Sequence, residues 1–454
     1  MEQLAIGVKP PNGPSGPLPG NPNLAKEHSQ YRQNDALGCI VAGDFSLSKI
    51  IKAHSLTGRI TDGLMLESFK AVKRNRGAAG IDKVSIQMFE ANLADNLRSL
   101  MRDLKTGSFE PHPLRRAFIL KNETEFRPLG IPAVRDRVAQ EVVRRLLNPI
   151  FEPLFHPSSF GFRQKRNCHM ALQAVLELHD AGYGFVLDAD VQGFFDNLSH
   201  QVIMQAVAQR VADGNILRLV EKFLTSGVMD NGIFKPTTIG TPQGGVVSPL
   251  LANIVLNHLD WELDRAGLRF VRYADDFVVL TQTPEQAKEA LAFVEQVLDG
   301  GLGLHLSREK TKVTSFGKGY AFLGFTLSSR SRRMRPKSVK KFKDKIRELT
   351  RRKFNLDANR IEQLNRVIRG TAQYFATDFF TGREVFHKLD SWIRMRLRCM
   401  KSKRKSTHDN HKIRNKVFDR LGLLTLESFV LRGQDRRFGT APRLGQSLAG
   451  SPGA

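Results

Sequence analysis

Apolar residues recur with two different spacings along this chain, and the spacings predict where its strands and helices lie. Short runs rich in aromatic and β-branched residues predict strands at Phe185–Leu187, Phe270–Tyr273 and Phe277–Leu280. The stretch Pro284–Leu298 has helical spacing instead, with Thr283 placed to cap it and proline at its first position. Short strands between longer helical stretches favour an α+β core.

The sequence outside that core differs at the two ends of the chain. Residues 1–43 are rich in Pro, Gly and Asn and predict a flexible arm. Amphipathic spacing then predicts two short helices, one on Phe45, Leu47, Ile50 and Ile51 and one on Leu64, Leu66 and Phe69. After Phe325 the strand pattern stops, and the chain is basic and helical to about Leu431. The tail, 432–454, has little to bury and is expected to be frayed.

Net charge indicates the class of partner. The 454 residues include 70 Lys and Arg against 45 Asp and Glu, a formal net charge of +25. Nucleic acid best offsets such a charge, because each neutralised phosphate releases a counterion; a basic surface that serves only solubility is the alternative. The N-terminus lacks the apolar core of a signal peptide, and no run of about 18 apolar residues predicts a membrane span. The cysteines, Cys39, Cys168 and Cys399, are far apart, which favours a reducing compartment such as the cytoplasm.

Two groups of acids lie at predicted strand ends. Asp275 and Asp276 fall between two apolar runs and predict the tip of a β-hairpin, a place where acids are common simply because Asp suits turns. Asp188 and Asp190 follow another strand, and alternation puts both on one face. Carboxylates from two strand ends can hold a pair of Mg²⁺ ions about 4 Å apart, the arrangement that nucleotidyl transfer needs.

The strings that carry these acids resemble two motifs of reverse transcriptases. Tyr273–Asp276 is similar to their YxDD box, and Asp190–Asp196 is similar to their first palm motif. The resemblance implies a right-hand polymerase with fingers, an antiparallel palm sheet and a helical thumb. It implies that Asp190 and Asp275 ligate both Mg²⁺ ions, that Asp276 is the third acid, and that Asp188 has only a supporting role. It also implies that Phe195 lies under the incoming sugar and selects deoxynucleotides, whereas the residue alone could equally be a core aromatic.

Two further segments resemble the nucleotide-holding motifs of the same family. The segment Gly240–Asn253, GTPQGGVVSPLLAN, is similar to the QGxxxSP box, which implies that Gln243 lines the nucleotide pocket and that Pro242 and Gly244 shape it. The segment Pro113–Val138 alternates basic and apolar residues like a hairpin packed on one face. Its resemblance to the fingers motif implies that Lys121 and Arg127 meet the triphosphate; from the residues alone, solvated strand charges explain them as well.

Several short motifs resemble those of group II intron reverse transcriptases, including GAAGID at Gly77–Asp82, RPLGIP at Arg127–Pro132 and FGFR at Phe160–Arg163. Residues Leu364–Met400 resemble the maturase domain of that family, which binds intron RNA. The resemblance and the density of basic residues predict nucleic-acid contacts by Arg163, Lys310, Arg335, Lys337, Lys340, Lys341, Arg369, Arg394 and Arg398. Solvated surface charge explains several of these equally well.

The expected organisation has five parts. An arm, 1–43, precedes an N-terminal extension and fingers, 44–185, a palm, 186–327, a basic helical thumb and maturase domain, 328–431, and a tail, 432–454. The expected function is RNA-directed DNA synthesis with an RNA template, a DNA primer and dNTPs, together with assistance to intron splicing. Because no cysteine follows Cys399, an HNH endonuclease with cysteine pairs is not expected. The alternatives are a domesticated enzyme of phage defence, CRISPR or repair, and a splicing factor whose polymerase has decayed.

Overall fold

The computed structural model describes residues 52–120, 126–241, 243–404 and 411–430. The predicted arm, the predicted helix on Phe45–Ile51 and the predicted tail lie outside these residues. Fourteen α-helices, α1 to α14, occur among the described residues: Asp62–Asn75, Ile86–Ala91, Leu93–Thr106, Val134–Phe151, Cys168–Asp180, Phe194–Asn197, His200–Ala208, Gly214–Thr225, Ser248–Arg265, Pro284–Val297, Pro336–Leu349, Ala358–Phe375, Arg383–Ser402 and Asn415–Arg420. Eleven strands, β1 to β11, occur there: Leu114–Leu120, Phe126–Ile131, Phe185–Asp190, Val228–Asp230, Ile233–Lys235, Arg269–Tyr273, Asp276–Thr281, Lys312–Ser315, Tyr320–Phe322, Phe325–Leu327 and Arg332–Met334.

The described chain divides into two compact units. One extends to Leu154 and includes Leu176–Tyr183 and Ser199–Ile254; the other comprises Phe155–Val175, Gly184–Leu198 and the chain from Val255 onward. The first unit contains a four-stranded sheet in the order β2-β1-β4-β5. Its β1 and β2 are antiparallel, so the hairpin predicted within Pro113–Val138 is confirmed.

The second unit contains the sheet that positions the acids, with strand order β6-β7-β3-β8. Strand β3 is central, antiparallel to β7 on one side and to β8 on the other. Its Val186, Leu187 and Ala189 are fully buried, whereas Asp188 and Asp190 keep contact with solvent. Burial of Leu187 and Ala189 on the opposite face of the strand therefore fixes the face on which both acids lie.

Two predictions about the following elements have opposite outcomes. The capped helix is confirmed, because Thr283 Oγ1 accepts from Gln286 N and the Gln286 side chain accepts from Thr283 N in a capping box. The prediction that strands stop after Phe325 is wrong, because β11, Arg332–Met334, completes a second sheet in the order β11-β10-β9. Only Met334 of β11 is buried, so this short strand carries almost no apolar signal.

Helices α11 to α14 follow this second sheet, as the basic helical pattern predicts. Helix α11 turns Phe342 and Ile346 inward and leaves most of its lysines exposed. No helix among the described residues combines the length and the apolarity that crossing a bilayer requires.

Candidate active site

The hairpin of β6 and β7 carries two of the predicted acids. Tyr273 pairs with Asp276 across the hairpin, and Ala274 and Asp275 form the turn between them. Ala274 is 8% exposed and has a φ of 62°, the left-handed conformation that non-glycine residues rarely adopt. This turn sets the direction of the Asp275 side chain.

The third predicted acid lies directly across the sheet from this turn. Asp190 is the last residue of β3, and its register partner on β7 is Asp276. Its backbone carbonyl accepts from Ser307 N at 2.8 Å, and Lys310 Nζ donates to its carboxylate at 2.9 Å. The structure thus brings together Asp190, Asp275 and Asp276, as the sequence predicts, and places Lys310 on the carboxylate of Asp190.

The electrostatics of the site centre on Asp276. Loss of hydration, as the largest cause, and the charges of Asp188, Asp275 and Asp190 together raise the pKa of this carboxyl to about 7, while Arg335 acts in the opposite direction. The Asp276 residue as a whole is nonetheless exposed, so a cation can reach its carboxylate. A site in which four carboxylates repel one another is one that a divalent cation would stabilise.

Asp188 contributes charge to the site while bonding elsewhere. Its carboxylate lies 3.5 Å from Lys312 Nζ on the neighbouring strand. Burial raises the pKa of Asp188, and Lys312 lowers it. The supporting role predicted for Asp188 is consistent with this pairing.

The chemistry of these donors fits Mg²⁺, since all of them are hard carboxylate oxygens and they lie at the same end of the two central strands, β3 and β7. Their present spacing is looser than a closed ligand set: among the residues that the structure describes, no group of three or more His, Cys, Asp or Glu side chains is close enough to hold a metal ion. The ammonium group of Lys310 pairs with the carboxylate of Asp190 in this arrangement.

Phe195 lies five residues beyond Asp190, in the short helix α6. Phe194 is 2% exposed and fills the core, and its ring meets that of Phe195 edge-on at 5.2 Å. Phe195 itself is only half-buried. The core position is therefore taken by Phe194, and the ring of Phe195 remains accessible to a ligand.

Three of the residues predicted to hold the nucleotide, Arg127, Gln243 and Gly244, lie in the first unit. Gly130 N of β2 donates to the carbonyl of Gln243 at 2.9 Å. Gly244 has a φ of 118°, and a Cβ there would lie 2.5 Å from Gly130 O. The loop thus packs backbone to backbone on the strand that carries the exposed Arg127, and only glycine fits. Lys121 and Pro242 lie outside the described residues.

Arg163 requires a correction to the predicted template contact. It is 7% exposed, and its Nη1 donates to the carbonyls of His156 and Ser159 at 2.8 and 2.9 Å. A buried guanidinium bonded to main chain is poorly placed to reach a phosphate, so we assign Arg163 a structural role.

The residue that sequence reasoning missed lies beside it. A Cβ at Gly161 would lie 2.2 Å from Ala274 N and 2.9 Å from Tyr273 C, so the FGFR string packs its backbone against the acid-bearing turn. The only sign of this contact in the sequence is a glycine within a motif that resembles the family. The sequence does not show which segment that glycine contacts.

The other predicted nucleic-acid residues differ in their surroundings. Lys337, Lys340, Lys341 and Arg369 are exposed, whereas Arg335 and Arg394 are half-buried. Arg398 bonds within the protein, because its guanidinium donates to the carbonyl of Ile413 and to the Asn415 side chain at 2.8 and 2.6 Å. This residue joins α13 to the segment around α14, and its predicted nucleic-acid contact stays a prediction.

Two family models match successive parts of the chain. A family model described as reverse transcriptase (RNA-dependent DNA polymerase) matches residues 119–327, and one described as group II intron, maturase-specific domain matches residues 339–420. The acid-bearing sheet lies wholly within the first match. The chain therefore belongs to the reverse transcriptase family and carries a group II intron maturase-specific domain. Its class is that of RNA-directed DNA polymerases, and the predicted fold, with a sheet in the palm, is confirmed.

Individual relatives agree with that assignment. Protein YkfC of Escherichia coli (strain K12) is 34% identical over 303 residues, which cover 58% of this chain and 80% of that protein. Group II intron-encoded protein LtrA of Lactococcus lactis subsp. cremoris is 30% identical over 304 residues, 52% of this chain and 50% of LtrA. The chain thus matches about half the length of LtrA. A solved telomerase structure from Candida albicans covers 79% of this chain and 67% of its own at 13% identity, with a TM-score of 0.40, which is too low to carry an argument.

Proposed function

We propose that this protein extends a DNA primer on an RNA template, using Asp190, Asp275 and Asp276 to hold two Mg²⁺ ions. The pairing of Asp190 with Asp276 across the palm sheet, with Asp275 beside them, carries the proposal. When bound, the ions would activate the primer 3′-hydroxyl and offset charge on the triphosphate. The hydroxyl oxygen attacks the α-phosphorus of a dNTP, a new P–O bond forms, the bond from the α-phosphorus to the oxygen bridging to the β-phosphorus breaks, and pyrophosphate and the hydroxyl proton are released.

The protein's own residues would hold the reactants in place. Gln243 and the glycine backbone beside it would line the dNTP pocket, and the exposed Arg127 would pair with the triphosphate, for which a guanidinium is well suited. We place Lys121 there as well, from the family resemblance. Lys310, which neutralises Asp190, would be displaced or would turn toward the triphosphate when a cation binds.

Primer extension tests this function directly. The purified protein, a DNA primer annealed to an RNA template, the four dNTPs and Mg²⁺ should give products that lengthen with time and disappear when the cation is chelated. Absence of any Mg²⁺-dependent product from the unmutated protein would contradict the proposal. That result would also support the alternative of a splicing factor with a decayed polymerase. The presence of all three acids argues against this alternative.

Sugar selection should depend on Phe195. Replacing Phe195 with alanine removes the half-buried ring and should lower the preference for dNTP over rNTP by roughly a hundredfold, the discrimination that a steric contact of this kind supplies. The measurement is the ratio of kcat/KM for the two sugars. Phe234→Ala, which removes a 51% exposed ring from β5, serves as the control. Equal sugar preference in Phe195→Ala and the unmutated protein would count against the assignment.

We further propose that the RNA partner is a structured group II intron RNA and that the helical region assists its splicing. The match to the maturase-specific domain supports this, and it disfavours a domesticated enzyme without an intron. Such substrates would place the protein in the bacterial cytoplasm. Sequencing RNA that co-purifies with the protein from its host tests the partner; recovery of unrelated RNAs only would contradict it.

Helix α11 supplies a measurable part of that RNA affinity. Lys337, Lys340 and Lys341 are exposed on it, while Phe342 and Ile346 hold the other face. The slope of log affinity against log salt is negative, and changing these three lysines to glutamine should make it shallower by about 2, because each lost phosphate contact removes about 0.7–0.9 from its magnitude. Filter binding to RNA between low and high salt measures the slope. The same change at the exposed Lys70, Lys105 and Lys288 is the control, and equal slopes in the two triple variants would refute the assignment.

A further inference from the structure

The largest fully buried side chain in the described part of the protein is a charged one, Arg272 of β6. Its Nε and Nη2 donate to the two carboxylate oxygens of Asp260 at 2.6 and 2.5 Å, and Asp260 is itself fully buried on α9. Nη2 also donates to Ser159 Oγ at 2.8 Å. A buried bidentate pair of this kind does little for net stability compared with apolar residues of the same shape, so its presence invites another explanation.

A further contact of this guanidinium is with the catalytic turn. Nη1 of Arg272 donates to the carbonyl oxygen of Ala274 at 2.8 Å. That oxygen belongs to the peptide bond that joins Ala274 to Asp275, and Ala274 is the residue with a φ of 62°. The hydrogen bond therefore orients the peptide plane from which the Asp275 side chain departs.

The guanidinium is held in position by main chain as well as by side chains. Arg272 N donates to Ser158 O, and Phe160 N donates to Arg272 O, both at 2.9 Å, so the segment before FGFR pairs with β6 at this residue. With Nε and Nη2 bonded to Asp260 and Ser159, the planar guanidinium directs Nη1 toward the turn, where it meets Ala274 O.

We infer that Arg272 is a positioning residue for polymerisation: it holds the Ala274–Asp275 peptide in the left-handed turn so that Asp275 faces Asp190 and Asp276, with Asp260 as its buried counter-ion. The inference rests on the proposed function and extends it to residues that touch neither metal nor substrate. It explains why a charged pair is buried directly behind the acidic turn.

Arg272→Lys is the informative variant. Lysine keeps the charge that Asp260 requires, but a single ammonium group cannot replace a planar fork that bonds Asp260, Ser159 and Ala274 together. The turn should loosen, so that kcat for primer extension falls by about a hundredfold, as expected when catalytic groups move by about 1 Å, while the KM for dNTP changes little. The Mg²⁺ concentration for half-maximal rate should rise.

A second readout does not depend on activity. Hydrogen exchange, followed by mass spectrometry well below the melting temperature, should be faster in the peptide covering the β6–β7 turn and unchanged in the peptide covering β3. The double variant Arg272→Met with Asp260→Leu removes both buried charges at about constant volume, so it should remain folded and still show the fast turn.

Arg144→Lys is the matched control. Arg144 also makes a bidentate pair with a buried carboxylate, Glu141, at 2.6 and 2.7 Å, but in the first unit. If hydrogen exchange in the β6–β7 turn and the Mg²⁺ dependence of the rate were the same in Arg272→Lys and Arg144→Lys, the inference would be overturned. Slow hydrogen exchange of this turn in the unmutated protein and fast exchange in Arg272→Lys would support the inference even without polymerase activity. The absence of activity would then refute the proposed function alone.

Discussion

Replacing Asp275 with asparagine should lower the rate of primer extension by at least about a thousandfold, equivalent to about 4 kcal/mol of lost transition-state stabilisation. The substitution keeps the size of the side chain and removes one anionic oxygen donor from the pair at the hairpin tip. It also removes one of the charges that raise the pKa of Asp276. Asp276 would then ionise more readily, so a loss of activity cannot be attributed to protonation of the remaining acid.

Gel-based extension of a labelled DNA primer on RNA measures the effect. Asp95→Asn is the control, because Asp95 is an exposed acid on α3 whose charge lies against Arg98. If the rate of primer extension by Asp275→Asn stayed within tenfold of the unmutated rate, the metal site would have been assigned to the wrong carboxylate. RNA binding should be unchanged, since the basic helices are untouched.

Replacing Gly161 with alanine should have the second largest effect. The new Cβ would lie 2.2 Å from Ala274 N and 2.9 Å from Tyr273 C, and both of these neighbours are backbone atoms, so no side chain can move aside to relieve the clash. Overpacking of this kind costs about 1–3 kcal/mol of stability. Displacement of the acidic turn by about 1 Å should lower kcat by about a hundredfold.

The loss of activity should exceed what unfolding explains, because the clash acts on the residue next to Asp275. Gly184→Ala is the matched control: Gly184 precedes β3, and a Cβ there meets nothing within 4 Å. Thermal melting and primer extension measured on both variants separate the two effects. Normal extension rates in a folded Gly161→Ala protein would refute the proposed contact between FGFR and the turn.

Much of the palm could be predicted from sequence because its strands are short apolar runs that begin or end at polar residues. The apolar runs around Asp190 and Asp276 are bounded by polar residues, and one face of β3 must be buried, which fixes where the acids point. The helix that begins after Thr283 was predictable for the same kind of reason, since its cap is local in sequence. The roles of the site residues themselves stay predictions that the experiments above test.

What the sequence could not show depends on contacts between distant segments. An arginine is normally read as surface, so the fully buried Arg272 and its pairing with Asp260 gave no signal. Arg163 was misread for the same reason. Strand β11 was missed because it is three residues long and two of them are arginines.

The central place of β3 has a consequence for how this protein can change over generations. Its hydrogen bonds to β7 and β8 join main-chain atoms, so they are indifferent to which apolar side chain stands at Val186 or Leu187. Exchange of one such residue for another of similar volume should be tolerated. A single inserted or deleted codon within the strand is different, because side chains alternate and every later residue would change face. Asp190 would then point away from Asp276. Substitutions between apolar residues of the strand should therefore be tolerated over generations, whereas a change of its length by one residue should not.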